Sequence, residues 1–310
     1  PGKPEDREAP MRLLTRIEAI PLKTMELGLS WDWETFPQWM DALAKKPLGV
    51  NVGALVPFNP LRLYVMGLND SRERVNATDK ETKQMQAIVH EAMEAGAFGW
   101  SSMKTLLNRP DDGRFIPSQV ASNEEYLALA EAMAGFGIGS IGWTRGQAER
   151  PLPPGEPDLM GGAGIEASAT GLQFDPVEGD VRGEGRDDFL IQMAKTSGRP
   201  LNYGGVNYTE ADPERYKEQL AYLERAHKEG ANLFAQASGV QVSPVFELAE
   251  YNGFDALPNW IDPFIGTPEE RIAKLNTPGV RDRMKQDVGG EWTGIGGTAD
   301  VAANWSKMRV

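Results

Sequence analysis

Cysteine is absent from this chain of 310 residues, and histidine occurs only twice. Without cysteine the protein forms no disulfide, has no thiol nucleophile and offers no thiolate to a metal. The two histidines, His90 and His227, each fall within an amphipathic helical pattern beside charged neighbours, so we expect surface or packing roles for both. Any metal ion would therefore depend on carboxylate ligands.

Long apolar runs and an excess of positive charge are also missing. No stretch approaches the roughly 20 apolar residues that span a bilayer, and the first ten residues are charged rather than signal-like. The 45 acidic residues outnumber the 32 basic ones, and the resulting net charge of -13 repels phosphate backbones. Composition therefore predicts a soluble, cytoplasmic protein that binds neither nucleic acid nor membrane.

Strand and helix patterns alternate along the chain. Thr78 followed by Glu81 is a capping box that begins a helix, and Ser122 with Glu125 repeats this signal before a second helix. Strand patterns cover residues 49–56, 97–103, 138–143, 199–205 and 231–237. Such alternation predicts an α/β protein with a parallel sheet, and about five βα units fit either an open doubly wound sheet or an incomplete barrel.

Two divisions of the chain follow from the same patterns. Residues 1–48 are predicted to be a helical N-terminal segment, in which an amphipathic helix with aromatic anchors covers 31–43. The alternating units occupy 49–310. Residues 145–186 are rich in glycine and proline and show neither helical nor strand periodicity, so we expect an insertion or long loop there.

Paired carboxylates supply the candidates for acid/base chemistry. Asp111 and Asp112 follow a predicted strand end, where barrel enzymes place their active sites, although Asp-Asp-Gly is also ordinary turn chemistry. Asp32 and Glu34 lie between and beside tryptophans, which permits a glycosidase, but their place at a predicted helix start favours capping. The glycine-rich segments lack the strand-to-helix context of a nucleotide site.

Eleven short segments together carry a family resemblance. They are Pro21-Leu22, Trp31-Asp32-Trp33, Val50-Asn51-Val52-Gly53-Ala54-Leu55-Val56-Pro57, Leu61-Arg62, Tyr64-Val65-Met66-Gly67, Gly99-Trp100-Ser101-Ser102, Asp112-Gly113-Arg114, Ile116-Pro117-Ser118, Arg199-Pro200-Leu201-Asn202, Pro213-Glu214-Arg215-Tyr216 and Pro268-Glu269-Glu270-Arg271-Ile272. In this order they resemble the N-acyl-D-amino-acid deacylase (D-aminoacylase) family of the amidohydrolase superfamily.

The resemblance implies a (β/α)₈ TIM barrel in which a zinc-bound water attacks the amide of a small N-acyl amino acid or related compound. This chain departs from the family pattern. Phe58 and Asn108 stand where the resemblance implies histidines, and no histidine lies on the later strand patterns. The family's His-x-His pair, bridging cysteine and last-strand aspartate have no counterpart here, so zinc is implied while its ligands are not visible.

Strand-end residues are the candidates for the site. We predict Asp111 as the catalytic residue, and we predict that substrate contacts Asn59, Arg62, Ser101, Lys104 and Arg114, a set in which Arg62 or Arg114 could bind a carboxylate bidentately. The predicted activity is hydrolysis of a non-peptide carbon–nitrogen bond. The alternative is a non-catalytic, barrel-derived scaffold or partner subunit, suggested by the missing ligands and the eight tryptophans.

Overall fold

The computed structural model describes residues 2–104, 108, 110–145, 184–206, 208, 213–237, 247–248, 254, 257 and 259–289. Most of the predicted insertion, residues 146–183, therefore lies outside the described residues. None of the helices that are described is long and apolar enough to cross a membrane.

Five parallel strands form one sheet in the order β1-β2-β3-β4-β5. The strands are β1 (Val56–Pro57), β2 (Gly99–Lys104), β3 (Ser140–Arg145), β4 (Leu201–Gly205) and β5 (Leu233–Gln236). The order follows the chain without the reversal that marks a doubly wound sheet. The predicted α/β class with a parallel sheet is confirmed.

Helices precede the sheet and connect its strands. They are α1 (Glu8–Thr15), α2 (Leu22–Gly28), α3 (Phe36–Ala44), α4 (Phe58–Met66), α5 (Asp70–Glu73), α6 (Asp79–Glu94), α7 (Pro117–Val120), α8 (Asn123–Met133), α9 (Glu184–Ser197), α10 (Arg215–Lys228), α11 (Pro268–Leu275) and α12 (Val280–Gly289). The capping box predicted for α6 is confirmed, since Thr78 and Glu81 bond each other's backbone amides.

One row of side chains across the sheet forms the centre of the core. Each member is in register with the next and each is 0% exposed: Val56, Trp100, Ile141, Leu201 and Leu233. They belong to one hydrophobic cluster with the buried faces of α6, α8 and α9, and α8 packs against both of the other two helices. This face of the sheet is therefore dry and covered by helices.

The adjacent row points to the opposite face, because successive residues of a strand alternate in direction. Its members, again in register, are Pro57, Ser101, Gly142, Asn202 and Phe234. Pro57 is exposed and Phe234 is 41% exposed. The two faces of this parallel sheet are thus unequally covered.

The first predicted strand is wrong over most of its length. Of residues 49–56 only Val56 joins the sheet, and Val50 is 75% exposed. The strand it would pair with, β2, begins at Gly99, and its partners in β1 are Val56 and Pro57 alone. Before Val56 the run has no ladder pairing, although the Ala54 carbonyl accepts a backbone hydrogen bond of 2.8 Å from the Phe98 amide. Periodicity alone does not reveal this limit.

One helix start and one predicted capping box differ from prediction. Helix α3 begins at Phe36 instead of residue 31, because Thr35 caps it and forms a capping box with Gln38. At α8 the predicted capping box is wrong, since Ser122 makes no side-chain cap bond. Glu125 is buried and bonds Arg62 instead, and a buried guanidinium competes successfully for that carboxylate.

Candidate functional site

A cavity of about 590 Å³ lies at the carboxyl ends of the strands. One side, here called the sheet wall, comprises Leu55, Pro57, Phe58, Asn59, Pro60, Ser101, Ser102, Met103, Asn108, Ile116, Gly142, Trp143, Thr144, Asn202, Gly204 and Gln236. This is the edge at which parallel α/β proteins bind ligands, because the loops that follow the strands converge there. The cavity volume lies in the range of small-molecule sites.

The other side of the cavity comes from the N-terminal helices. This N-terminal wall comprises Pro10, Met11, Leu13, Leu14, Ile17, Glu18, Leu29, Trp31, Trp33, Phe36 and Trp39. Trp31 and Trp33 stack with their ring centroids 5.4 Å apart, and Phe36 lies 5.4 Å from Trp39. The segment predicted only as helical therefore covers the ends of the strands.

Two of the predicted substrate-binding residues, Asn59 and Ser101, lie together in the sheet wall. Asn59 Oδ1 accepts a hydrogen bond of 2.7 Å from the backbone amide of Ser118, which fixes the carboxamide against α7. Ser101 occupies the second row of the sheet between Pro57 and Gly142. Asn59 thus follows β1 and Ser101 lies within β2, and their contact with a ligand stays a prediction.

Asp111, the predicted catalytic residue, does not line the cavity in the described part of the chain. Its side chain is 39% exposed, and its Oδ2 lies 3.0 Å from Nη1 of Arg12 on α1. This ion pair joins the loop after β2 to the helix that supplies much of the N-terminal wall. The geometry thus gives Asp111 a position beside the cavity and a contact that positions α1.

Asp112 is the more perturbed carboxylate of the pair. Arg72 donates to both of its oxygens at 2.7 Å, and Arg114 donates through its backbone amide and Nε. Burial alone raises the pKa of Asp112, but the hydrogen bonds and charge of Arg72, together with Arg114, lower that pKa to about 2. Asp112 therefore stays ionised and organises the loop.

The two arginines proposed for a substrate carboxylate have protein partners. Arg62 is 0% exposed and binds both oxygens of Glu125 at 2.8 and 2.9 Å, and it donates as well to the carbonyls of Ser71, Arg74 and Val75. Because these acceptors bind its N–H donors, the Arg62 guanidinium is held in the interior between α4 and α8.

Arg114 and Lys104 are similarly placed away from the cavity among the residues described. Arg114 bonds Asp112 and Glu73, with Nη1 of Arg114 3.2 Å from the Glu73 carboxylate. Lys104 Nζ lies 5.5 Å from the ring centroid of Tyr126, a cation–π distance. Neither geometry presents a cation to a ligand in the cavity.

Phe58 and Asn108, at the positions where the resemblance implies histidine, both line the cavity. Phe58 is 1% exposed and packs on Tyr126 with centroids 4.5 Å apart, so an aromatic contact occupies that place. Asn108 is 7% exposed, and its amide contacts the sulfur of Met103. Neither side chain is a good metal ligand.

The side chains present do not fit the zinc that the resemblance implies. Within the described residues no group of three or more His, Cys, Asp or Glu lies close enough to hold a metal. His90 contacts Glu94 and the ring of Phe136, and His227 Nε2 meets the carbonyl of Leu233 at 2.6 Å, so both lie on helices outside the cavity lining. Among the lining residues that the structure describes, Glu18 is the single carboxylate.

The two carboxylates considered for a glycosidase have structural partners. Glu34 Oε1 accepts a bond of 2.7 Å from the hydroxyl of Tyr64, and this bond raises the Tyr64 pKa to about 12. Asp32 accepts from Ser30, and this bond lowers the Asp32 pKa. The described cavity lining includes neither carboxylate. The helix cap is Thr35, so neither residue caps α3 as the sequence suggested.

Asn202 and Gln236 line the cavity although the sequence reasoning did not propose them. Asn202 is the second residue of β4 and Gln236 is the last residue of β5, and each is a polar residue between apolar neighbours, a signal that is visible in the sequence. The apolar N-terminal wall has no comparable signal, because its segments meet the sheet only through tertiary packing.

Comparison with known proteins gives a partial match. No family model matches the chain. An N-acyl-D-aspartate deacylase of Alcaligenes xylosoxydans xylosoxydans is 35% identical over 135 residues, which is 43% of this chain and 24% of that protein. The chain is similar to N-acyl-D-amino-acid deacylases. The predicted resemblance to that family is confirmed.

Two further relatives match similar fractions of this chain and of their own length. A D-aminoacylase of the same organism is 31% identical over 118 residues, 38% of this chain and 22% of that protein. An uncharacterized protein of Mycobacterium tuberculosis is 34% identical over 129 residues, 39% of this chain and 21% of that protein. The chain thus spans less than a quarter of the length of each of these curated relatives.

Two solved structures that match the chain are also a D-aminoacylase and a deacylase. A crystal structure of D-aminoacylase matches with a TM-score of 0.45 and 20% identity over 66% of this chain and 34% of that one. An N-acyl-D-glutamate deacylase from Bordetella bronchiseptica, complexed with zinc and a phosphonate inhibitor, matches with a TM-score of 0.45 and 21% identity over 68% and 35%. These scores are too low to support a closed barrel for this chain.

Proposed function

We propose that this protein is an amidohydrolase-like protein that binds a small N-acyl amino acid or related amide in the cavity at the strand ends. The observation that carries the proposal is the convergence of five successive parallel strands on one cavity lined by Asn59, Ser101 and Asn202. Carboxamide and hydroxyl groups both donate and accept hydrogen bonds, as recognition of a neutral amide requires. The confirmed resemblance to deacylases supports the same ligand class.

Hydrolysis of a non-peptide carbon–nitrogen bond is the proposed reaction, and a (β/α)₈ TIM barrel is the proposed architecture of the complete fold. Strands in chain order are the arrangement that such a barrel requires. The side chains that line the cavity do not fit zinc, so no step of the reaction is assigned to a metal here. Asp111 stays proposed as the catalytic residue, on its contact with Arg12 of the helix that lines the cavity. Arg114 is not proposed further as a substrate contact, because its guanidinium is paired with Asp112 and Glu73.

A non-catalytic scaffold is the second candidate function. The absence of a metal-ligating group within the described residues, together with Phe58 at a position where the resemblance implies histidine, supports it. The two candidates share the fold and differ in turnover. Binding of an amide without release of product is the behaviour that the scaffold predicts.

A combined binding and turnover experiment tests the proposal. Binding is measured by calorimetric titration of the purified protein with N-acetyl-D-amino acids and their L-enantiomers. Hydrolysis is measured as release of free amino acid under three conditions: with a metal chelator, with no addition and with added zinc. We expect binding that Asn202→Leu weakens and that Asn232→Leu, a change at an exposed asparagine just before β5, leaves unchanged. If the protein neither binds nor hydrolyses these compounds under any condition, the proposal is wrong. Binding without hydrolysis favours the scaffold.

A further inference from the structure

We propose that the N-terminal wall is a binding subsite for an aliphatic acyl chain, so that the preferred ligand carries hexanoyl or a longer acyl group. This inference rests on the proposed function, because it requires the amide of the ligand to lie at the sheet wall. It goes beyond that function by naming the part of the ligand that determines affinity.

The cavity is divided by polarity into two sides. The sheet wall supplies the hydrogen-bonding side chains, among them Asn59, Ser101 and Asn202. Apart from Glu18 and the indole N–H groups of its tryptophans, the N-terminal wall is apolar. A ligand that satisfies both sides has a polar amide at one end and an apolar body at the other. An acetyl group is too small to cover the apolar side.

Charge determines which end of the ligand faces the N-terminal wall. Glu18 is the only charged residue among the described lining residues, and no described lysine or arginine lines the cavity. A ligand carboxylate is therefore unpaired at the N-terminal wall, where Glu18 repels it and apolar surroundings penalise it. The uncharged acyl chain is the part of an N-acyl amino acid that fits there.

The N-terminal wall is built from two segments that are held in place. Helix α1 contacts the loop after β2 through the Arg12–Asp111 ion pair, in which Arg12 Nη1 lies 3.0 Å from Asp111 Oδ2. The second segment contributes the stacked Trp31 and Trp33. Leu14 lines the cavity and is 42% exposed, so it offers apolar area for a chain to cover. Burial of that area is the source of the expected affinity.

A chain-length series tests the proposal. Acetyl, hexanoyl, octanoyl and decanoyl derivatives of one D-amino acid are titrated by calorimetry into the full chain. Each buried methylene strengthens binding about fourfold, so the dissociation constant is expected to fall steeply from acetyl to octanoyl. An alkanoic acid of the same length, which has an acyl chain but no amide, is measured in parallel.

Matched variants locate the subsite. Trp33→Ala is expected to flatten the dependence on chain length, because it weakens binding of the decanoyl compound more than binding of the acetyl compound. Leu14→Ala, a change on the surface of α1 with little risk to folding, is expected to flatten it partly. Leu27→Ala removes another exposed leucine of the N-terminal segment, 78% exposed and outside the cavity lining, and should leave the dependence unchanged.

The outcomes separate this inference from the proposed function. A steep chain-length dependence that Trp33→Ala and Leu14→Ala reduce supports the subsite. If the alkanoic acids show the same dependence with no gain from the amide, the subsite stands and the proposed amide function fails. If the acetyl and decanoyl compounds bind equally well, or if the variants leave the dependence unchanged, the subsite is overturned while the amide function stands.

Discussion

The two faces of the five-stranded sheet differ in what their side chains do. On the helix side, Val56, Trp100, Ile141, Leu201 and Leu233 form a row without any exposure. One residue further along each strand, the row from Pro57 to Phe234 contains a proline, a serine, a glycine and an asparagine and faces the cavity side. Stability therefore resides on one face, and the candidate chemistry on the other.

This division explains why a single sheet can tolerate a polar cavity. Burial of apolar area on the helix side supplies the free energy that orders the strands. The cavity side is then free to carry small and polar residues, which leave room for a ligand. If the division holds, substitutions on the helix side mainly lower stability, whereas substitutions on the cavity side mainly weaken binding.

Trp100→Ala is the substitution with the largest expected effect. Removal of a fully buried indole leaves a cavity among α6, α8 and the sheet and should lower the free energy of unfolding by about 4 kcal/mol. Phe234→Ala on the cavity side should cost less than about 1 kcal/mol. Urea denaturation followed by circular dichroism measures both, and equal losses would break the comparison.

Glu125→Gln tests the polar pair buried between α4 and α8. The change leaves the Arg62 guanidinium buried without a countercharge and is expected to cost about 3 kcal/mol. Its neighbour Glu124 is exposed, so Glu124→Gln should change the free energy of unfolding by less than about 0.5 kcal/mol. An unchanged free energy of unfolding for Glu125→Gln would show that the buried ion pair contributes little to stability.

Acid should weaken the loop beside the cavity through Asp112. Its pKa is lowered from 3.8 to about 2, so its interactions stabilise the fold above pH 3.8 and are lost as pH falls through 2. Because the side chain is 38% exposed, screening reduces the effect to about 1 kcal/mol.

The Asp112→Asn variant isolates this contribution. Its deficit relative to the natural protein should be constant near neutral pH and shrink as pH falls from 3.8 toward 2. Melting temperature measured against pH reports the difference. Asp111→Asn, a change at the adjacent carboxylate, serves as the matched control. A deficit that is independent of pH would show that the Arg72 contact is not electrostatic.

Asn202→Leu should have the smallest effect on stability and a clear effect on binding. Loss of its bond to the amide of Gly204 costs less than about 1 kcal/mol. Loss of one hydrogen bond to an amide ligand should weaken binding about fivefold. Calorimetry with an N-acyl amino acid measures the second effect, and unchanged affinity would remove Asn202 from the site.

Much of the fold was predictable from the sequence because its signals are local. The capping box at Thr78 and the heptad-like apolar spacing of α6 are read directly from neighbouring residues, and four of the strand patterns overlap β2 to β5. The wrong predictions have different causes. Glu125 binds the distant Arg62 instead of capping α8, whereas the start of α3 is set by the local capping box of Thr35 and Gln38.

The site was predictable only in part for the same reason. Asn59 and Ser101 lie in the cavity because strand ends are recognisable in a sequence. Arg62 and Arg114 also follow strands, yet carboxylates bind both of them: Glu125 of α8 binds Arg62, and Glu73 of α5 together with the nearby Asp112 binds Arg114. A guanidinium is recruited by whichever carboxylate the fold brings near, and sequence spacing does not show which one that is.

By itself the sequence determined the α/β alternation, the net acidic charge, the shortage of metal-binding side chains and the resemblance to deacylases. Tertiary structure alone decided that the N-terminal helices cover the ends of the strands and that Trp31 and Trp33 face the same cavity as Asn202. Alternation and composition are properties of neighbouring residues, whereas a cavity exists only where segments far apart in the chain pack together.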